Sequence, residues 1–158
     1  MTRLDVERLL GALDEAGVRY VLIGGFAVIA HAGVRTTQDV DIVPAPDADN
    51  LTLLGNALAA TNARLTHDPE RAIDPELRLE LARGKSVSLT TEFGELDIVQ
   101  RLPGVPSYAD LEARGLRVEA MGLSLLVASR ADLIAMKRAR GSTHDLADIE
   151  ALERAGET

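Results

Sequence analysis

In Gln38-Asp39-Val40-Asp41-Ile42-Val43, acidic and apolar side chains alternate over 39–42, and the segment then runs into Pro44 and Pro46. Successive side chains of a strand point to opposite faces, so this pattern predicts a strand over 38–43 with Asp39 and Asp41 on one face and Val40 and Ile42 in the core. The prolines stop it. Two neighbouring carboxylates repel each other unless a cation sits between them. A chain carrying this segment must build a core beneath one face of the strand and leave the acidic face open.

Upstream lies Tyr20-Val21-Leu22-Ile23-Gly24-Gly25. Arg19 to Ile23 predicts a short buried strand that feeds a glycine turn, and Phe26 to His31, closed by Gly33, predicts a short helix starting on the glycines. Free backbone N–H groups at such a helix start can hold phosphate oxygens. Leu4, Leu9, Leu10 and Leu13 predict an amphipathic helix over 3–16, with Thr2 as cap and Gly17 as stop. Asp47 caps a helix that runs to about Ala60. Pro69, Pro75 and alternating charges make 64–84 a loop with a turn of helix or an edge strand. Ser86 to Thr91 and Leu96 to Val99 flank Glu92-Phe93-Gly94-Glu95 as a hairpin. Tyr108 to Arg114 predicts a helix and Leu116 to Ala120 a strand; two last helices follow over about 129–139 and 144–155, capped by Ser129 and Thr143. This order predicts an α/β (α+β) fold: a small mixed, largely antiparallel sheet flanked by helices, with C-terminal helices. At 158 residues the expectation is a single domain spanning 1–158, its helical part beginning at about 129.

The absence of Cys excludes disulfides, thiolate metal sites and cysteine nucleophiles, and suits the cytoplasm. Met1-Thr2-Arg3-Leu4-Asp5 has no apolar stretch for a signal peptide, and no membrane span is expected. A net charge of −8 argues against a whole-surface footprint for nucleic acid, leaving only a local basic run at Arg130, Lys137, Arg138 and Arg140. That run reads equally well as a solvated helix face.

Asp97, within Leu96-Asp97-Ile98-Val99, joins Asp39 and Asp41 on one face if the two strands pair, and Glu95 shares its parity. Oxygen ligands on rigid strands suit Mg²⁺ or Mn²⁺ better than zinc. Such ions bind a nucleoside triphosphate and activate an attacking hydroxyl, in two-metal sites from roughly 4 Å apart. Asp97 is then either the general base or the ligand that holds the nucleophile's metal. Thr36 and Thr37 either contact phosphate or merely suit the start of the strand. His31, His67 and His144 show no metal-ligand spacing.

The order strand, Gly24-Gly25, helix, Asp39-Val40-Asp41, later strand with Asp97 resembles the small nucleotidyltransferases of the polymerase β superfamily. In that superfamily a glycine pair, often Gly-Ser, opens a helix before a DxD strand and a third carboxylate. The resemblance implies that Asp39, Asp41 and Asp97 bind metal and that Gly24 and Gly25 take the triphosphate. Ser129 to Gly141 followed by Thr143-His144-Asp145-Leu146-Ala147-Asp148 resembles the AbiEii-type branch, which includes toxins of toxin–antitoxin pairs. There a Lys on one helix and an Asp opening the next belong to the functional set, matching Lys137 and Asp145. The chain uses two lysines, Lys85 and Lys137, against fifteen arginines, and a compact ammonium is a good point-charge partner for phosphate. Lys137, Arg138 and Asp148 also read as ordinary helix-end charges. The resemblance implies transfer of NMP from an NTP to an acceptor hydroxyl with release of pyrophosphate. The acceptor is open: a small molecule, a protein or RNA, with a cognate protein partner in a toxin–antitoxin or a resistance setting. The alternative is a non-catalytic nucleotide-binding or regulatory module of the same fold.

Overall fold

The computed structural model describes residues 3–33 and 37–156, together with every side chain in those ranges except those of Thr143 and His144. Thr2 and Thr36 lie outside the described residues. Helix α1 (Val6–Glu15) begins later than expected because Asp5 is its cap, its carboxylate accepting from the Arg8 N–H. The Asp5 N–H donates to the Phe93 carbonyl at 2.7 Å, which ties residue 5 to the hairpin turn and holds it out of the helix. Strand β1 (Tyr20–Ile23) passes directly into α2 (Gly24–Ala32), and β2 (Asp39–Pro44) is followed by α3 (Ala48–Ala60), whose cap is Asp47.

The segment 64–84 is more ordered than its composition suggests. It forms β3 (Arg64–Leu65), β4 (Asp68–Ala72) and α4 (Pro75–Ala82), the last started by Asp74 at the cap and Pro75 in the first turn. Then come β5 (Val87–Thr91), β6 (Gly94–Ile98), α5 (Tyr108–Arg114) and β7 (Leu116–Ala120). A strand absent from the sequence reading, β8 (Leu123–Val127), pairs antiparallel with β7 across a turn in which Met121 and Gly122 both have positive φ. Helices α6 (Arg130–Arg140) and α7 (Thr143–Ala155) end the chain; Ser129 caps the first, and Ser142, one residue before Thr143, caps the second.

The eight strands of the described residues form one sheet in the order β4-β3-β5-β6-β2-β1-β8-β7. The β1–β8 and β2–β6 pairs are parallel and the others antiparallel, so the sheet is mixed and largely antiparallel as expected. Leu9, Leu10 and Leu13 of α1 and Leu54 and Leu58 of α3 share one core with Val40, Ile42, Leu96 and Ile98. Each such side chain contributes roughly 1.5–3 kcal/mol on full burial. Asn50 fixes the far end of β2: its side chain accepts from the Arg19 N–H at 2.7 Å and donates to the Arg19 and Ala45 carbonyls, both at 2.9 Å. The two central strands are thereby anchored at the end opposite the acidic motif.

Candidate functional site

The parallel register of β2 and β6 sets Asp41 opposite Asp97 and Asp39 opposite Glu95. The four acids are half-buried, whereas Val40, Ile42, Leu96 and Ile98 between them are buried, which is the alternation expected of a sheet with one open face. Carboxylate oxygens of Asp39, Asp41 and Asp97 all lie within 4.8 Å of one another. Burial, then the neighbouring carboxylates Asp97 and Glu95, raise the pKa of Asp39, opposed by the Thr37 hydroxyl. That hydroxyl lies 3.2 Å from the Asp39 carbonyl and 3.4 Å from its Oδ1. Burial, then Asp39 and Asp97, push Asp41 up to about 8, against the pull of Lys137. Hard oxygen donors of which Asp39 and Asp41 resist ionisation fit a divalent cation such as Mg²⁺ or Mn²⁺, whose charge offsets the repulsion between carboxylates.

The glycine turn meets the acids directly. Register pairs Ile23 with Asp41, and the next residue, Gly24, has φ +70°. A Cβ at this position would collide with the Asp41 carboxylate. Glycine is therefore required twice, by backbone conformation and by space. Gly25 is buried in the first turn of α2, and Ile23 at the cap offers no side-chain acceptor to the first N–H groups of that helix. N–H groups at a helix start without a side-chain cap are suited to a phosphate oxygen.

Lys137 comes to the same place from α6. It is 7% exposed, with Nζ 3.0 Å from Asp148 Oδ2 and 3.4 Å from Asp145 Oδ1. Lys137, Arg140, Gly24 and Asp41 line one cavity of about 350 Å³, with Ile23 and Met136 among its apolar walls. Lys137 thus shares a cavity with Asp41, and neither Lys137 nor Asp148 is a surface charge. Asp145 is fully buried and committed within the chain. It closes a capping box with Ser142 and accepts two bonds from Arg140, at 2.7 Å from Nε and 2.6 Å from Nη2. The Arg140 guanidinium, more than any other group, holds its carboxyl well below the usual carboxylate range. Arg138 instead turns outward to Glu153. Arg140 itself was seen in the sequence only as part of a basic run. Its spacing from Asp145 across the Gly141 turn was the available signal. His31 is structural, its Nε2 2.8 Å from the Ala128 carbonyl.

No curated protein matches the chain in sequence. Solved structures do match in fold. The lincosamide antibiotic adenylyltransferase LnuA, lincomycin-bound, superposes with a TM-score of 0.64 at 18% identity, covering 97% of this chain and 98% of LnuA. The antibiotic-resistance factor ANT(2'')-Ia matches at a TM-score of 0.62 and 13% identity over 93% of this chain and 80% of its own. A second structure of that protein, in complex with adenylyl-2''-tobramycin, matches at 0.59 and 13% over 93% and 84%. At these identities the likeness establishes a shared nucleotidyltransferase-type fold. The family described as "Nucleotidyltransferase of unknown function (DUF6036)" matches residues 3–157, and the chain belongs to that family.

Proposed function

We propose that this chain transfers a nucleoside monophosphate from an NTP to a hydroxyl of a small-molecule acceptor, releasing pyrophosphate. The observation that carries the reading is the contact between the glycine turn and the acids: Gly24 abuts the carboxylate of Asp41, which stands opposite Asp97. Phosphate-binding N–H groups and a cation-binding face therefore meet at one point. Asp39, Asp41 and Asp97 are the residues that would hold Mg²⁺ or Mn²⁺, which when bound neutralises phosphate charge and makes an acceptor hydroxyl more acidic. The N–H groups of Gly24 and Gly25 take phosphate oxygens, and the Thr37 hydroxyl orients Asp39. The acceptor oxygen bonds to the α-phosphorus as the bond from that phosphorus to the bridging oxygen breaks; pyrophosphate carries that oxygen away. Asp97, opposite Asp41, takes the acceptor's proton.

Lys137 supplies positive charge to the triphosphate side of the cleft, and Asp145 positions both Lys137 and Arg140 from behind. That pairing supports the AbiEii-type resemblance of the C-terminal helices. A small-molecule acceptor is favoured because LnuA, matched over nearly its whole length, is an adenylyltransferase of an antibiotic. The chain is read as one working unit over 1–158, acting in the cytoplasm where NTPs are abundant. Among the described residues no helix is long and apolar enough to cross a membrane.

The test is calorimetry with ATP, GTP, CTP and UTP, with and without Mg²⁺, on the wild type and on Asp39→Ala and Asp41→Ala. It is followed by incubation of α-labelled NTPs with cell extract to find the molecule that gains label. Metal-dependent binding lost in both variants, with an acceptor gaining one NMP, is expected. Binding indifferent to the aspartates ends the enzymatic reading.

A further inference from the structure

Two cavities border the acidic strands, one reaching Asp41 and the other Glu95. The first, described above, holds the glycine turn with Lys137 and Arg140, the groups suited to phosphate. The second is about 790 Å³ and lies toward β5, lined by Thr37, Gln38, Thr66, Thr90 and Glu95, with Phe26 among its apolar walls. Its size lies within the range of small-molecule sites, roughly 300–1,000 Å³. Thr90 is the register partner of Glu95, and its hydroxyl lies 3.2 Å from that of Thr66, forming a polar strip across β5 that leads to the acids.

Glu95 is the unusual member of this wall. It stands opposite Asp39 in register, yet it is outside the trio of carboxylates whose oxygens cluster within 4.8 Å. Among the described residues no Lys or Arg forms an ion pair with it, although the exposed Arg3 lines the same cavity. A carboxylate set beside three others, without a counter-charge and facing a cavity, is complementary to a cation brought by the occupant.

We infer that this second cavity is the acceptor site and that Glu95 is its specificity residue, selecting a small hydroxylated molecule that carries an ammonium group. The inference rests on the transfer reaction proposed above. The hydroxyls of Thr66 and Thr90 and the amide of Gln38 match the acceptor's hydroxyls, Phe26 covers its apolar side, and Glu95 fixes its ammonium. This arrangement presents one acceptor hydroxyl to Asp97, two residues further along β6 on the same face.

The experiment uses the whole chain with Mg²⁺ and α,β-methylene-ATP, followed by amide NMR. The probes are tobramycin, 2-deoxystreptamine and glucosamine, each beside its N-acetylated counterpart, which keeps the hydroxyls and loses the charge. At least one amine should shift the amides of Thr66, Thr90 and Glu95. Its affinity should fall roughly tenfold or more both on N-acetylation and in Glu95→Gln, the N-acetylated probes leaving nucleotide affinity unchanged. Nucleotide binding with no amine-induced shift, shifts confined to the Lys137 cavity, or equal affinity in Glu95→Gln overturns the inference and leaves the transfer reading intact. Loss of nucleotide binding in the wild type overturns both.

Discussion

Replacing Gly24 by alanine tests the junction between turn and acids. An L-residue in the left-handed region costs roughly 1–2 kcal/mol, and the φ of +70° at Gly24 incurs that cost in full. The added Cβ also displaces the Asp41 carboxylate, an overpacking cost of about 1–3 kcal/mol. The smaller freedom of alanine in the unfolded chain returns about 0.4–1 kcal/mol. The net loss is about 3 kcal/mol, or roughly 6–12 °C in Tm for a chain of this size. Gly11→Ala is the matched control. It lies inside α1, and its Cβ would meet nothing within 4 Å, so it should gain about 1 kcal/mol from helix propensity. Differential scanning calorimetry with and without Mg²⁺ reads both effects. Gly24→Ala should melt lower and lose its Mg²⁺-induced rise in Tm, while Gly11→Ala melts higher and keeps that rise. A Gly24→Ala protein that melts within about 1 °C of wild type and still responds to Mg²⁺ would refute the reasoning, since both costs rest on the same geometry.

Lys137→Met removes the buried ammonium that pairs with both Asp148 and Asp145, and urea unfolding should show a loss of about 3–5 kcal/mol. A loss below about 1 kcal/mol would mean that water reaches the pair. The pH dependence follows from Asp41, whose pKa near 8 stands above its unfolded value of 3.8. Its contribution to stability is complete below the unfolded value and disappears as pH rises through the folded one. Metal-free wild type should therefore lose stability between about pH 4 and 8 relative to Asp41→Asn. Parallel curves for the two proteins would contradict the raised pKa. Because a cation requires the ionised form, the stabilisation by Mg²⁺ should grow across the same interval.

The sequence disclosed the elements whose side chains carry a strong period or a recognisable stop. β2 could be read because its acids and β-branched residues alternate up to a proline, and α3 because Asp47 caps a run of evenly spaced leucines. The pairing of β6 beside β2 followed from one requirement, that Asp97 share a face with Asp39 and Asp41. β8 escaped because Leu123-Ser124-Leu125-Leu126-Val127 is nearly continuous apolar sequence with little alternation, and because Met121, an unusual residue at positive φ, conceals its turn. β3 and β4 are short and charged, so edge pairing rather than burial forms them. In the site, Lys137 was legible by its rarity among arginines. The burial of Asp145 was not, since a capping acid looks the same in sequence whether it faces water or the flank of another helix.

The parallel pairing of β2 with β6 also governs when the site can exist. Asp39 and Asp41 leave the ribosome early, but Asp97 reaches them only after β3, β4, α4 and β5 have been laid down as a long crossover. Closing such a loop is slow and is compensated only by the contacts made at its end. A partly folded chain thus holds two acids and no third, and has little hold on a cation. On the proposed reading, cation binding would report that this crossover has closed, and a chain trapped before it closes would be inert rather than wrongly active.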